Sequence, residues 1–173
     1  MLNKLNRFLL NKVTQITPEK IRVYVYKIFG MNIGRGTVIR QGCFFDQNRI
    51  SIGDNCFINK NCQFHMGGEE KGKIVIGDNV RFGMDVELIC VSHIIGDEKQ
   101  RAAEDTYEPI IINDGCWICA RATILEGVDI GKGTIIAAGS LVNKNCEPNS
   151  LYAGIPARMI KKLDKKGKKH ENL

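Results

Sequence analysis

Residues 112–147 read, in sixes, INDGCW ICARAT ILEGVD IGKGTI IAAGSL VNKNCE. The first place of each six holds Ile112, Ile118, Ile124, Ile130, Ile136 and Val142, all β-branched aliphatics. The fifth holds a small or modest side chain: Cys116, Ala122, Val128, Thr134, Ser140 and Cys146. The fifth place of one six and the first of the next are two residues apart, so they share one face of a strand. Gly131-Lys132-Gly133, Ala137-Ala138-Gly139 and Asn143-Lys144-Asn145 then turn the chain, using residues that suit corners. Short strands joined by corners at a fixed period wind into a solenoid, with three sides and about eighteen residues per coil. A helix is excluded, because apolar residues every six positions would wander around its surface.

Outward from that stretch the same period recurs with interruptions. Ile33, Thr37, Ile39, Cys43 and Phe45 keep step, as do Ile52, Cys56, Ile58, Cys62 and Phe64. An insert at residues 66–73 breaks the run, which resumes at Ile76-Gly77-Asp78-Asn79-Val80, with Phe82-Gly83 and Leu88 in step. It breaks again after Val91-Ser92-His93, and residues 94–109 carry no repeat and much charge. Long loops ejected from a compact solenoid usually serve function. Residues 1–30 lack the repeat: Leu2, Leu5, Leu9, Val13 and Ile16 fall at helical spacing. Thr17-Pro18-Glu19 then resembles an N-cap, a first-turn proline and an acidic first turn, and Gly30 ends the second helix. The expected organisation is a helical cap over residues 1–30, a solenoid over 31–157 with loop 94–109 inserted, and a basic tail over 158–173. The stripe predicts packing on the solenoid end; with Lys4, Arg7 and Lys12 beside it, a membrane-surface helix is the alternative.

At 173 residues the chain suits one domain with small appendages. The net charge of +6 owes much to Lys161, Lys162, Lys165, Lys166, Lys168 and Lys169, a solvated end rather than a nucleic-acid face. Basic residues are not interleaved with aromatics, which argues against single-stranded nucleic acid. With no membrane-spanning apolar run and no recognisable signal peptide, the expected location is the cytoplasm. Of seven cysteines, Cys43, Cys56, Cys62, Cys116 and Cys146 occupy the small inward slot and read as core. Cys116-Trp117-Ile118-Cys119 has redox spacing, but it lies inside the repeat instead of opening a helix.

The chain has three histidines, His65, His93 and His170. His93 stands where the coil opens into the long loop, a place for an imidazole to act as a general base.

The aliphatic-Gly-x-x-small-x pattern resembles the hexapeptide-repeat acyltransferases. The closing stretches Ile136-Ala137-Ala138-Gly139-Ser140 and Ala153-Gly154-Ile155-Pro156-Ala157 resemble their sugar O-acetyltransferase branch, with its galactoside, maltose and capsule-modifying members and related antibiotic acetyltransferases. The resemblance covers about residues 50–162. It implies an all-β, left-handed parallel β-helix of about five coils, with N-terminal helices and a short helical or basic C-terminal tail. It implies acetyl-CoA as co-substrate, no metal, and a homotrimer with sites between subunits. Residue by residue, it implies His93 as the base and Asn59 at the acceptor. It implies Trp117 at the coenzyme A groove and Ala120 and Ala138 along the pantetheine arm. Asn143 and Lys144 match the corner beside that arm, and Arg158 and Lys161 the phosphates. Cationic groups at the end of a groove suit such a polyanion.

Cys119 and Asn113 depart from the glycine usual at these corners, and residues 94–109 match neither the galactoside nor the maltose branch closely. A saccharide, an antibiotic or a serine-type hydroxyl acceptor therefore all stay open. The competing readings are a carbonic-anhydrase-like metalloenzyme, which needs three histidine ligands, and a non-enzymatic interaction solenoid.

Overall fold

In the structure, a computed structural model that describes residues 4–164, both six-residue series point inward. All twelve of their positions between Ile112 and Cys146 are buried. Coil one is β1 (Asn32–Ile33), β2 (Val38–Ile39) and β3 (Phe44–Phe45); coil two is β4 (Ile50–Ile52), β5 (Phe57–Ile58) and β6 (Gln63–His65). Coil three is β7 (Ile74–Ile76), β8 (Arg81–Phe82) and β9 (Glu87–Ile89). A hairpin follows, β10 (Val91–Ile95) and β11 (Ala102–Tyr107). Coil four is β12 (Ile110–Ile112), β13 (Trp117–Ile118) and β14 (Thr123–Ile124); coil five is β15 (Asp129–Ile130), β16 (Ile135–Ile136) and β17 (Leu141–Val142). The chain closes with β18 (Ser150–Gly154) and β19 (Ala157–Lys162).

The strands stack by side. Sheet A runs β1-β4-β7-β12-β15, sheet C runs β3-β6-β9-β14-β17, and sheet B runs from β2 through β5, β8, β13 and β16 to β18 and β19. The coils form a left-handed parallel β-helix. Identical registers put like residues in columns: Phe45, Phe64, Leu88, Ile124 and Val142 follow one another inside sheet C. The Phe45 and Phe64 rings stack with centroids 4.5 Å apart.

The small slot has a second use. Cys62 Sγ donates to Gly83 O at 3.3 Å, Cys116 Sγ to Gly131 O at 3.2 Å, and Thr134 Oγ1 to Glu147 O at 2.7 Å. Cys and Thr are therefore interchangeable there because each carries a donor for a carbonyl of the next coil, whereas Ser140 Oγ accepts from Gly154 N at 3.2 Å.

Coil one has no coil beneath it, so its backbone edge needs partners. Helix α1 (Lys4–Ile16) and helix α2 (Glu19–Ile28) supply them. Asn11 Nδ2 donates to Phe45 O at 2.9 Å and its Oδ1 accepts from Phe45 N at 3.0 Å. Arg22 is buried and donates to Ile39 O, Thr14 O and Thr17 O. Tyr26 lies edge-on to Phe45, 4.9 Å between centroids.

The helices thus cap the solenoid, but not with the expected stripe. Leu10, Asn11, Thr14, Arg22 and Tyr26 are buried, while Leu5, Leu9, Val13 and Ile16 are exposed. Thr17 does not cap α2 either: its hydroxyl donates back to Val13 O at 2.7 Å, and Pro18 holds the cap position without a side-chain bond. Gly30 does end the helix, at φ +86°, a value a residue with Cβ resists.

Two further expectations change. Residues 94–109 are not an irregular loop, because β10 and β11 pair antiparallel across them, with a turn at 96–101. Residues 157–162 are a strand that returns antiparallel along β18, not a helix. His170 and Lys165, Lys166, Lys168 and Lys169 lie outside the described residues.

Candidate functional site

Sheet C is bounded by two corners, and the candidate residues divide between them. At the B–C corner every coil turns in the same way. Asn61, Asp85 and Arg121 sit there at φ 61°, 57° and 61°, and Gly139 at φ 69°. Their N–H groups climb a ladder: Asn61 donates to Gln41 O, Asp85 to Lys60 O, Arg121 to Met84 O and Gly139 to Ala120 O. Asn59, Ala120 and Ala138 belong to this corner, in coils two, four and five. The coils approach closely here. A Cβ on Gly83 would lie 2.3 Å from Ala120 N. The Ala120 carbonyl accepts from Gly139 N at 2.9 Å.

Trp117 lies next to this corner, half-buried in the outward row of β13, between Arg81 and Ile135 in register. Arg158 and Lys161 are exposed on β19, which extends sheet B past the last coil. Arg158 Nη1 donates to Ala157 O at 2.8 Å. Trp117, Ala120, Ala138, Arg158 and Lys161 therefore lie along sheet B and its edge in ascending order. Small side chains, main-chain amides and terminal cations in that order fit a long amide-bearing arm ending in phosphates.

Asn113, which departs from the usual glycine, is explained by its own bonds. Its Nδ2 donates to Asp129 Oδ1 at 2.7 Å and Ile130 O at 2.9 Å, tying coil four to coil five.

The C–A corner is the irregular one. It carries the insert at residues 66–73, the hairpin, and Asn143 and Lys144, both exposed in coil five. His93 is on β10, opposite Asp105 on β11. His93 Nδ1 is 3.0 Å from Asp105 Oδ1, and the Tyr107 hydroxyl donates to Asp105 Oδ2 at 3.0 Å. That bond to Asp105 pushes the Tyr107 phenol up, so it is held as a neutral donor. The Tyr107 ring closes on Gly67, where a Cβ would come within 2.4 Å of Cε1. The hairpin base is thus seated on the coil-two insert. That insert is held in turn by Asp46, which accepts from Met66 N and Gly67 N at 2.8 and 2.9 Å. With Nδ1 bound to Asp105, His93 keeps Nε2 for another partner.

The structure therefore brings Asn59, Ala120 and Ala138 to one corner and His93, Asn143 and Lys144 to another, one sheet apart. Lys144 does not join Arg158 and Lys161 within one chain. Asp105 and Tyr107 escaped the sequence reading; their only signal was that residues 102–107 lie across a turn from His93, which matters once strand pairing is known. His65 sits half-buried on β6 with Glu87 Oε1 at 3.4 Å and Gln63 Oε1 at 3.2 Å, and its carbonyl accepts from Cys90 N, the residue just before the hairpin opens, at 2.7 Å.

The cysteines do not supply a nucleophile. Burial pushes the thiols of Cys116 up to about 11 and of Cys90 and Cys146 up to about 12, and it also raises Cys119. At neutral pH these are thiols, which are poor nucleophiles. Cys43 is pushed the other way by a bond from Cys62, but it is enclosed in the core. Among the described residues no group of three or more His, Cys, Asp or Glu is arranged to hold a metal ion.

Comparison with known proteins finds the same repeat and the same fold elsewhere. Residues 109–144 match the model of the bacterial transferase hexapeptide (six repeats), and residues 49–67 match the hexapeptide repeat of succinyl-transferase. The chain is 33% identical over 151 residues to the galactoside O-acetyltransferase of Escherichia coli, covering 87% of this chain and 72% of that protein. It spans only 54 to 61% of the length of other curated relatives it matches. A hexapeptide-repeat acetyltransferase from Vibrio cholerae, solved with acetyl coenzyme A, superposes with a TM-score of 0.82 at 28% identity, over 93% of this chain and 87% of that one. A galactoside acetyltransferase solved with coenzyme A gives a TM-score of 0.82 at 27% identity, over 93% and 80%.

Proposed function

The chain belongs to the bacterial hexapeptide-repeat transferase family, and on that premise we propose that it is an acetyl-CoA-dependent O-acetyltransferase. The acceptor we propose is a hydroxyl of a sugar or polysaccharide precursor, and the working form a homotrimer. The observation that carries this reading is the His93–Asp105–Tyr107 chain on the hairpin. Bound acetyl-CoA supplies the acetyl thioester. Asp105 holds the Nδ1 proton of His93, so Nε2 is the basic nitrogen. His93 takes the acceptor's hydroxyl proton there as the oxygen attacks the carbonyl carbon. As the carbon–sulfur bond breaks, His93 returns the proton to the leaving thiolate. Asn59 orients the acceptor. Ala120 and Ala138 receive the arm, while Trp117, Arg158 and Lys161 hold its far end, with Asn143 and Lys144 facing it from a second subunit.

The separation of the two corners supports the trimer. One chain presents Asn59 and the Ala120–Ala138 edge, and another closes on it with His93 and Lys144; cyclic symmetry makes each chain both donor and receiver. The test is a thiol-release assay with acetyl-CoA and a panel of free, oligomeric and nucleotide-linked saccharides, with simple amines alongside. Release above hydrolysis with at least one saccharide is expected. Release only with amines, or with none of the panel, refutes the acceptor class.

A further inference from the structure

The helical cap leaves an apolar surface that the solenoid does not use. On α1 the side facing coil one is Leu10, Asn11 and Thr14, and on α2 it is Arg22 and Tyr26. The opposite sides hold large apolar side chains in the open: Leu5 is 63% exposed, Phe8 57%, Ile16 85%, Ile21 50%, Tyr24 64% and Ile28 82%. Such a run on adjacent helices is more than scattered surface hydrophobicity.

Its charge indicates the partner. Helix α1 carries Lys4, Arg7 and Lys12 and no acidic residue. The one acidic residue of α2, Glu19, is engaged by Arg40 at 3.0 Å, which leaves Lys20 and Lys27 unopposed on that helix. Lys12 stands within the apolar stripe, with Nζ 6.0 Å over the Phe8 ring centroid, so cation and apolar side chains share one surface. Exposed apolar side chains interleaved with cations suit the boundary between headgroups and acyl chains. A second copy fits less well, because symmetric pairing of this face would set Lys4, Arg7 and Lys12 against themselves. Neither helix is long and apolar enough to cross a bilayer.

We propose that the exposed face of α1 and α2 docks on anionic lipid membranes, lying in the interface without spanning it. The helices rest on coil one, whereas the site residues begin at Asn59 in coil two, so docking leaves both corners clear.

The test is co-sedimentation of the full chain with vesicles of phosphatidylcholine alone and of phosphatidylcholine with about 30% phosphatidylglycerol. Partitioning at least tenfold stronger into the anionic vesicles is expected, since each cation near such a surface contributes about fivefold. It should weaken on raising salt from about 0.1 to 0.5 M. A Phe8→Ser/Ile16→Ser double substitution should lower partitioning at least tenfold, because two inserted apolar side chains are lost. Lys4→Glu/Lys12→Glu should abolish the preference for the anionic vesicles. All four side chains point away from the core, so circular dichroism should show both variants folded. Absence of native binding to the anionic vesicles would overturn the proposal, as would unchanged partitioning in both variants. A change in particle mass on Phe8→Ser/Ile16→Ser would also overturn it, assigning the face to a second copy.

Discussion

The two corners that bound sheet C are built on opposite principles. The B–C corner repeats: three residues per coil, one of them in the left-handed region, with the same carbonyl-to-amide step from Gln41 to Gly139. The C–A corner departs from itself at nearly every coil, with an insert, a hairpin, and then Asn143 and Lys144. A repeating edge offers main-chain groups at regular intervals, which suits holding something long. An interrupted edge places particular side chains, which suits doing chemistry on something small.

Replacing His93 should break the comparison most severely. His93→Ala is expected to lower kcat by roughly 10²–10⁴-fold while coenzyme A binding, measured by calorimetry, stays within about twofold. Near-native turnover would show that the interrupted edge carries no base.

Mixing tests whether the two edges of a site come from different chains. Asn59→Ala and His93→Ala chains, each nearly inactive, should regain about a quarter of native activity when co-refolded in equal amounts, since one shared site in four then holds both intact edges. If both edges of a site came from one chain, every site would carry a lesion and nothing would be regained.

Asp105→Asn should cost roughly 10- to 10³-fold in kcat with little change in KM, because the amide can impose the wrong imidazole tautomer. Tyr107→Phe, which removes only the second bond to Asp105, should cost less. Equal turnover of Asp105→Asn and the native chain would reduce the His93–Asp105 contact to a surface ion pair.

The regular edge should fail by packing instead of chemistry. In Gly83→Ala the new methyl meets Ala120 N, a backbone atom that cannot move alone. Overpacking of this kind costs about 1–3 kcal/mol and should lower Tm by several degrees. An unchanged Tm would mean that the coils are less tightly stacked than the ladder implies.

The sequence by itself determined the solenoid, because a six-residue period is a property of neighbours along the chain. It located the inward columns, the buried slots of Cys43, Cys56, Cys62, Cys116 and Cys146, and the corners, but it set the break after His93, whereas the chain leaves the coil at Val91 and His93 lies inside the hairpin. Only the tertiary structure decided what depends on partners distant in the chain. The His93–Asp105–Tyr107 chain exists because β10 and β11 pair in one register, and a different register would bring other residues opposite His93. That Asn59 and His93 stand at different corners follows from which side of the triangle each break falls on. The helices show the same limit most plainly. Apolar periodicity predicts that Leu5, Leu9, Val13 and Ile16 face inward, yet the surface they meet is the open backbone edge of coil one. Its unpaired amides and carbonyls demand hydrogen bonds, so Asn11 and Arg22 turn inward and the apolar stripe faces out.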